Sequence, residues 1–258
     1  ISLGADPKHI YNKEDGRLGI SIIGIIIRYV PFKLDVDILN YLIKAGSTIV
    51  FDFREDTCPL SRYLFNLNSF GSIPNYEVIK ILLSKCHINS EVHIRTTTPL
   101  MSICFVKFAT PEIIKLFIDF SIEVNIIDNE GFSALGYLLC GEIERKLVPE
   151  VIDILLLHGL NVHLSPPQSS NLIMALNAEQ TIYVIEKLLI AGVDPNIKNH
   201  SEESPLLYLI KHKKYKDIYS DDTKKALLKK IENFVMGEYF FRVEENTIQN
   251  NSILKTTQ

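Results

Sequence analysis

The stretch VIEKLLIAGVDPNIKNHSEESPLLYLI, Val184 to Ile210, decides the fold. Val184, Ile185, Leu188 and Leu189 fall at i, i+1, i+4 and i+5, an apolar stripe at helical spacing. Gly192 stands where a left-handed residue ends such a helix. Asp194-Pro195-Asn196 turns the chain, and Ser204-Pro205-Leu206 opens a second helix with a capping hydroxyl and a proline at its first position. The spacing therefore predicts helix, glycine stop, extended loop and helix, in a unit of roughly 33 residues, a period that belongs to repeat architectures.

The same parts recur along most of the chain. Aligning the starts of the first helices gives Ile20, Leu60, Leu100, Leu135, Leu172 and Leu206 as equivalent buried positions, spaced by 40, 40, 35, 37 and 34 residues. Three of them keep Pro-Leu, at Pro59-Leu60, Pro99-Leu100 and Pro205-Leu206. The second helices repeat more faithfully: ILNYLIKAG (38–46), VIKILLSKC (78–86), IIKLFIDFS (113–121), VIDILLLHG (151–159) and VIEKLLIAG (184–192). Each is apolar on adjoining turns, too much for a helix lying on water, so each must be sandwiched between neighbours. One leucine buried this way stabilises by about 1.5–3 kcal/mol, which a stack of pairs can accumulate and a single pair cannot. Pro74, Pro111 and Pro149 precede second helices, with Glu77, Glu112 and Glu150 in their first turns, where an acid suits the helix dipole.

A chain of 258 residues with 47% hydrophobic and 22% charged residues has the composition of a folded protein. Its net charge of −4 argues against nucleic acid as the main partner, since phosphate binding shows as a basic excess. Cys58, Cys86, Cys104 and Cys140 contain no C-x-x-C pair and are too sparse for a disulfide framework, which points to a reducing cytoplasm or nucleus. The apolar run Gly19 to Ile27 is about half the length of a membrane span. Ile1 already lies inside ISLGADP, similar to LIAGVDP at Leu189 to Pro195, and reads as part of a repeat whose earlier portion is missing.

Beyond Ile210 the pattern loosens. Residues 212–237 read as a last or capping helical repeat, with KKALLKKIENFVMG at 224–237 as its helix, and residues 238–258 as a partly disordered tail. Eight lysines between Lys211 and Lys230 read as a solvated loop and the outer face of that cap, with a nuclear signal as the functional alternative. Cys86, His87 and His93 lack the second ligand pair that zinc spacing needs, and no phosphate-binding glycine loop or nucleophile elbow is present. The reading is therefore of a non-enzymatic chain with no metal and no cofactor.

The segment Asp128-Asn129-Glu130-Gly131-Phe132-Ser133-Ala134-Leu135 follows the D-x-x-G-x-T-P-L turn of ankyrin repeats, and residues 1–211 resemble about six such repeats, the first partial. The resemblance implies an all-α solenoid of helix-turn-helix units with short β-hairpin fingers, and Gly131 supplies the positive φ a finger needs. Departures are many: the family's histidine after the leucine is absent, and Asp56, Thr96, Gln168 and Glu202 stand at turn-glycine positions. Long interhelix loops and phrases such as TPEIIKLFIDFSIEVNIIDNEG resemble in style the ankyrin host-range proteins of poxviruses.

The family resemblance implies a protein partner held by the concave face and finger tips, in a monomeric, cytoplasmic or nuclear protein that touches no membrane. Projected onto this chain, the contact positions are Glu14, Asp15 and Arg17, then Arg54 and Glu55, then Arg95, then Asn129, Glu130 and Phe132, then His200 and Glu203. An aromatic at a tip such as Phe132 is a binding hot spot or packs on its neighbour, and both readings stay open. The narrower resemblance implies a viral adaptor that joins a host protein to a ubiquitin ligase through an F-box-like end, of which FVMGEYFF is at best a distant echo. Two alternatives of other classes stand beside it: repeats that regulate an enzyme encoded in a missing part of the chain, and a cellular or bacterial ankyrin protein of another pathway.

Overall fold

Among the described residues short helices predominate, and the start of nearly every one is fixed by a side chain just ahead of it. The computed structural model describes residues 6, 8, 11–13, 17–49, 58–86, 97–167, 169–211, 222, 225, 226 and 228–236. The chain divides into two units, Ile1–Pro166 and Pro167–Gln258. The first holds strands β1 (Tyr11–Lys13) and β2 (Arg17–Ile20), then helices α1 (Ile22–Tyr29), α2 (Val36–Lys44), α3 (Pro59–Ser69), α4 (Tyr76–Lys85), α5 (Pro99–Phe105), α6 (Pro111–Asp119), α7 (Ala134–Cys140) and α8 (Val148–Leu157). The second holds α9 (Asn171–Asn177), α10 (Ile182–Ile190) and α11 (Pro205–Lys211), and residues 228–236 are helical.

Helix starts follow one rule. Ser21, Thr98, Ser133, Ser170 and Ser204 each accept, through the hydroxyl oxygen, the backbone N–H three residues on. Asp35, Thr110 and Thr181 cap α2, α6 and α10 by accepting the N–H three residues on through a side-chain oxygen, and the Asn75 amide oxygen caps α4 by accepting from Glu77, two residues on. Such a cap satisfies a donor that the helix itself leaves open and is worth about 1 kcal/mol. Cys58, ahead of α3, makes no side-chain cap bond.

Helix ends follow another. Gly46, Gly159 and Gly192 take φ of 92°, 80° and 94°. At each, the glycine N–H and the next residue's N–H turn back onto two carbonyls of the last turn, as in Gly192 to Leu189 and Val193 to Leu188, both at 3.0 Å. Ser121 and Glu179 take the same left-handed place at φ 58° without being glycine.

In the first unit α1 packs on α3, α3 on α5 and α5 on α7; α2 packs on α4, α4 on α6 and α6 on α8. Rungs α1–α2, α3–α4, α5–α6 and α7–α8 join the two rows, so the unit is a two-layered stack of helix pairs. Its core is the leucine and isoleucine stripe read from the sequence: Leu60, Ile79, Leu100, Ile114, Leu135 and Ile152 are fully buried. In the second unit α9 packs on α10 and on α11, and Glu186 of α10 pairs with Lys230 of the 228–236 helix.

Two expectations need correction or narrowing. Ile20 is not the equivalent of Leu60: it ends β2, opposite Tyr11, while Ile23, wholly buried and two residues past its cap, takes that place. The first interval is thus 37 residues. RLGISIIGI is apolar at both strand and helix period, so the hydrophobic pattern could not choose the register. Of the β-hairpin fingers expected between repeats, the described residues show one two-stranded antiparallel ladder, β1–β2, and a single bridge, Ile127 to Ser133. Residues 50–57 and 87–96, where two more are expected, lie outside the described residues.

Amide side chains hold successive pairs together. Asn66 of α3 donates through Nδ2 to the carbonyls of Ile27 and Arg28, 2.9 and 3.1 Å, at the end of α1. Asn68 accepts from the Lys107 N–H at 3.1 Å and donates to Glu142 at 3.0 Å. The chain at 141–142 runs hard against the end of α5, with the Glu142 N–H 2.6 Å from the Phe105 carbonyl. A Cβ on Gly141 would lie 2.7 Å from that carbonyl oxygen and 2.8 Å from the Phe105 Cα, both backbone. Gly141→Ala is therefore expected to lower stability by about 1–3 kcal/mol, read as a lower denaturant midpoint with unchanged slope.

Candidate functional site

Neighbouring helices of one row bring a file of aromatic rings together. Phe65 and Phe105 each stand seven residues past the cap of their helix, and Tyr137 four past its own. Ring centroids are 5.8 Å apart for Phe65–Phe105 and 6.3 Å for Phe105–Tyr137, with Phe132 a further 6.0 Å from Tyr137. The rings meet at 54°, 75° and 66°, the first pair tilted and the other two edge-on, a geometry that suits the quadrupoles. All four are half-buried, so each keeps an exposed portion while its remainder packs on the stack.

The turn that carries Phe132 is built on one carboxylate. Asp128 Oδ1 accepts the N–H groups of Glu130 and Phe132, both at 2.9 Å, and its Oδ2 accepts the Tyr137 hydroxyl at 2.8 Å. The Asp128 carbonyl accepts the Gly131 N–H, and the Asp128 N–H reaches the Phe132 carbonyl. Gly131, at φ 87°, closes the loop where a side chain is strained. Burial first, and then the Asp128 hydrogen bond and charge, push the Tyr137 phenol well above its ordinary value, so it remains a donor at neutral pH.

The 199–203 turn copies this wiring with other residues. Asn199 Oδ1 accepts from the N–H groups of Ser201 and Glu203, at 2.9 and 3.0 Å, and the Asn199 N–H reaches the Glu203 carbonyl at 3.0 Å. Glu202 takes the place of Gly131 and is held at φ 57°. Glu203 takes the place of Phe132, but it is buried, with Oε1 3.2 Å from Lys211 Nζ and Oε2 accepting from Asn199 Nδ2 at 3.3 Å.

The sequence-projected contact residues fall into three groups. Asn129, Glu130 and His200 are exposed at turn tips, and Phe132 is half-buried against Tyr137 of its own helix pair. Glu203 lies turned inward in an ion pair, where the projection has it at the surface. Glu14, Asp15, Arg54, Glu55 and Arg95 lie outside the described residues; Arg17 starts β2, and only its backbone is described. Phe65, Phe105 and Tyr137 were not singled out by the sequence reading, although the first two repeat the same offset from Pro-Leu.

Elsewhere, a groove of about 520 Å³ is lined by Ile118, Ile122, Val124, Ile126 and His158. The His158 ring is engaged there through Nδ1 with the Ile154 carbonyl of its own helix, 2.7 Å away. Among the described residues no group of three histidine, cysteine or acidic side chains is placed to hold a metal, and no helix is long and apolar enough to cross a membrane. Compared with models of protein families and with curated proteins, the chain matches none.

Two outcomes follow from the turns. Replacing Glu202 by glycine relieves a left-handed residue at the cost of an exposed pair with Lys198, and is expected to raise stability by about 0.5–1 kcal/mol, whereas Gly131→Ala lowers it by about 1 kcal/mol in the same thermal scan. Above about pH 10 the unfolded chain gives up phenolic protons that folded Tyr137 retains. Stability therefore falls as pH rises through that range, and Tyr137→Phe is expected to make the fall shallower.

Proposed function

We propose that the chain is a non-enzymatic, ankyrin-type interaction module that binds a protein partner. The contact in the first unit is the face shared by the aromatic file and the 128–132 turn, which corresponds to the concave face and finger tip of the ankyrin family. One observation carries this reading: Phe65, Phe105, Tyr137 and Phe132, contributed by the neighbouring helices α3, α5 and α7 of one row and by a turn, line up half-exposed on the stack. Aromatic rings held in place lose little entropy on binding, which is why such residues anchor protein interfaces. Asn129 and Glu130 stand exposed beside them and supply a polar rim.

The helix pairing supports the class of protein. First helices pack on first helices and second on second, the arrangement that ankyrin repeats share with other stacked helical repeats, and the two turns wired alike at 128–132 and 199–203 are the family's most specific sign. A site-specific photo-crosslinker at Glu130 is expected to give a discrete adduct with a partner protein in cell extract. The same group at Leu157, 83% exposed on the opposite row of helices, is expected to give none. Adducts from position 157 alone would remove the face from consideration.

A further inference from the structure

The two turns wired alike differ in how their charges are met. In the 199–203 turn both acids have a cation of the same unit: Glu202 pairs with Lys198 and Glu203 with Lys211, each at 3.2 Å. The 128–132 turn lies 71 residues earlier, and the places of those two lysines are taken there by Ile127 and Cys140. Asp128 stands where the other turn has the neutral Asn199, and Glu130 where it has Ser201. Among the described residues neither Asp128 nor Glu130 has an ion-pair partner. The Asp128 carboxylate accepts the N–H groups of Glu130 and Phe132 and the Tyr137 hydroxyl, neutral donors that fix its position and leave its charge unbalanced. Glu130 is exposed at the tip. Two negative charges thus belong to the turn that carries Phe132, whose ring centroid lies 6.0 Å from that of Tyr137 at the end of the aromatic file.

We infer that this end of the file is a cation site and that its occupant is an arginine side chain of the partner protein. The inference rests on the proposed interaction face and adds the partner's chemistry to it. An aromatic face attracts a cation through its quadrupole, and a carboxylate beside it attracts the same cation through its charge. A guanidinium answers both: it is planar and weakly hydrated enough to lie on a ring, and its fork of N–H donors matches a carboxylate. A lysine ammonium is compact and strongly hydrated, and gives up more water for the same place. Asp128 is held by its three donors and sets the local field, while Glu130, exposed, is the group that takes the fork. An apolar segment gains nothing from the two carboxylates, and an acidic one is repelled by them.

The test titrates the whole isotope-labelled chain with an acetylated, amidated Gly-Arg-Gly tripeptide, using the same tripeptide with citrulline, the neutral isostere of arginine, as control. The arginine tripeptide is expected to move the backbone amide signals of residues 129–132 saturably and to leave those of 199–203, where lysines hold the acids, in place. Glu130→Gln, a change at an exposed tip, is expected to weaken this binding about fivefold, and Phe132→Leu about threefold. The proposal is overturned if the citrulline tripeptide moves the same signals as strongly, if both turns respond alike, or if Glu130→Gln binds the arginine tripeptide as tightly as the unaltered chain. Binding that emerges only in Arg95→Gln also overturns it, since the chain's own Arg95, which lies outside the described residues, is then the cation. A photo-crosslinker at Asn129, which leaves Glu130 intact, separates this failure from failure of the face. Protein adducts there without an arginine response keep the face and remove the arginine; neither adducts nor response removes both.

Discussion

A helix of seven residues, the length of α5, α7, α9 and α11, makes too few internal hydrogen bonds to persist in water. Everything else in this protein answers that constraint. In α5 the six residues from Pro99 to Cys104 are all buried, so the helix is held by what lies on either side of it and not by its own propensity. Neighbours on both sides require stacking; stacking requires that each helix begin and end sharply so that the chain can return. The hydroxyl caps and left-handed stops supply those ends.

The fold was legible where its signals are local. VIKILLSKC at 78–86 contains a stripe and VIDILLLHG at 151–159 a stripe and a stop within one window, and they became α4 and α8 at nearly the boundaries read. Gly46, Gly159 and Gly192 were legible as stops for the same reason. Ser121, Glu179 and Glu202 were not, because a non-glycine forced left-handed gains its place from packing around the turn and carries no mark of its own. The Ile20 register failed through an excess of signal: strand and helix share one unbroken apolar run there.

The candidate site divides along the same line. Asn129 and Glu130 could be placed at a tip because Asp128 and Gly131 define the turn within four residues. Glu203, at the matching place of a like-wired turn, could not, since its inward direction depends on Lys211, a full helix away. Phe65, Phe105 and Tyr137 become a file only when three helices are laid side by side in register, which no single window contains.

Stacks of helix pairs are often treated as one-dimensional chains, in which each unit's energy involves its neighbours alone. The bond from Asn68, at the end of α3, to Glu142, just past α7, does not fit that description: it passes over the pair that holds α5 and α6. Worth on the order of 1 kcal/mol, it adds a next-nearest term to the ledger of the first unit. Together with the close passage of Gly141 over Phe105, it clasps three pairs into one block. Fraying from either end then stops at that block's border, and excising the middle pair costs more than that pair's own share. The modularity that makes repeat proteins easy to lengthen or shorten is interrupted here by a single asparagine.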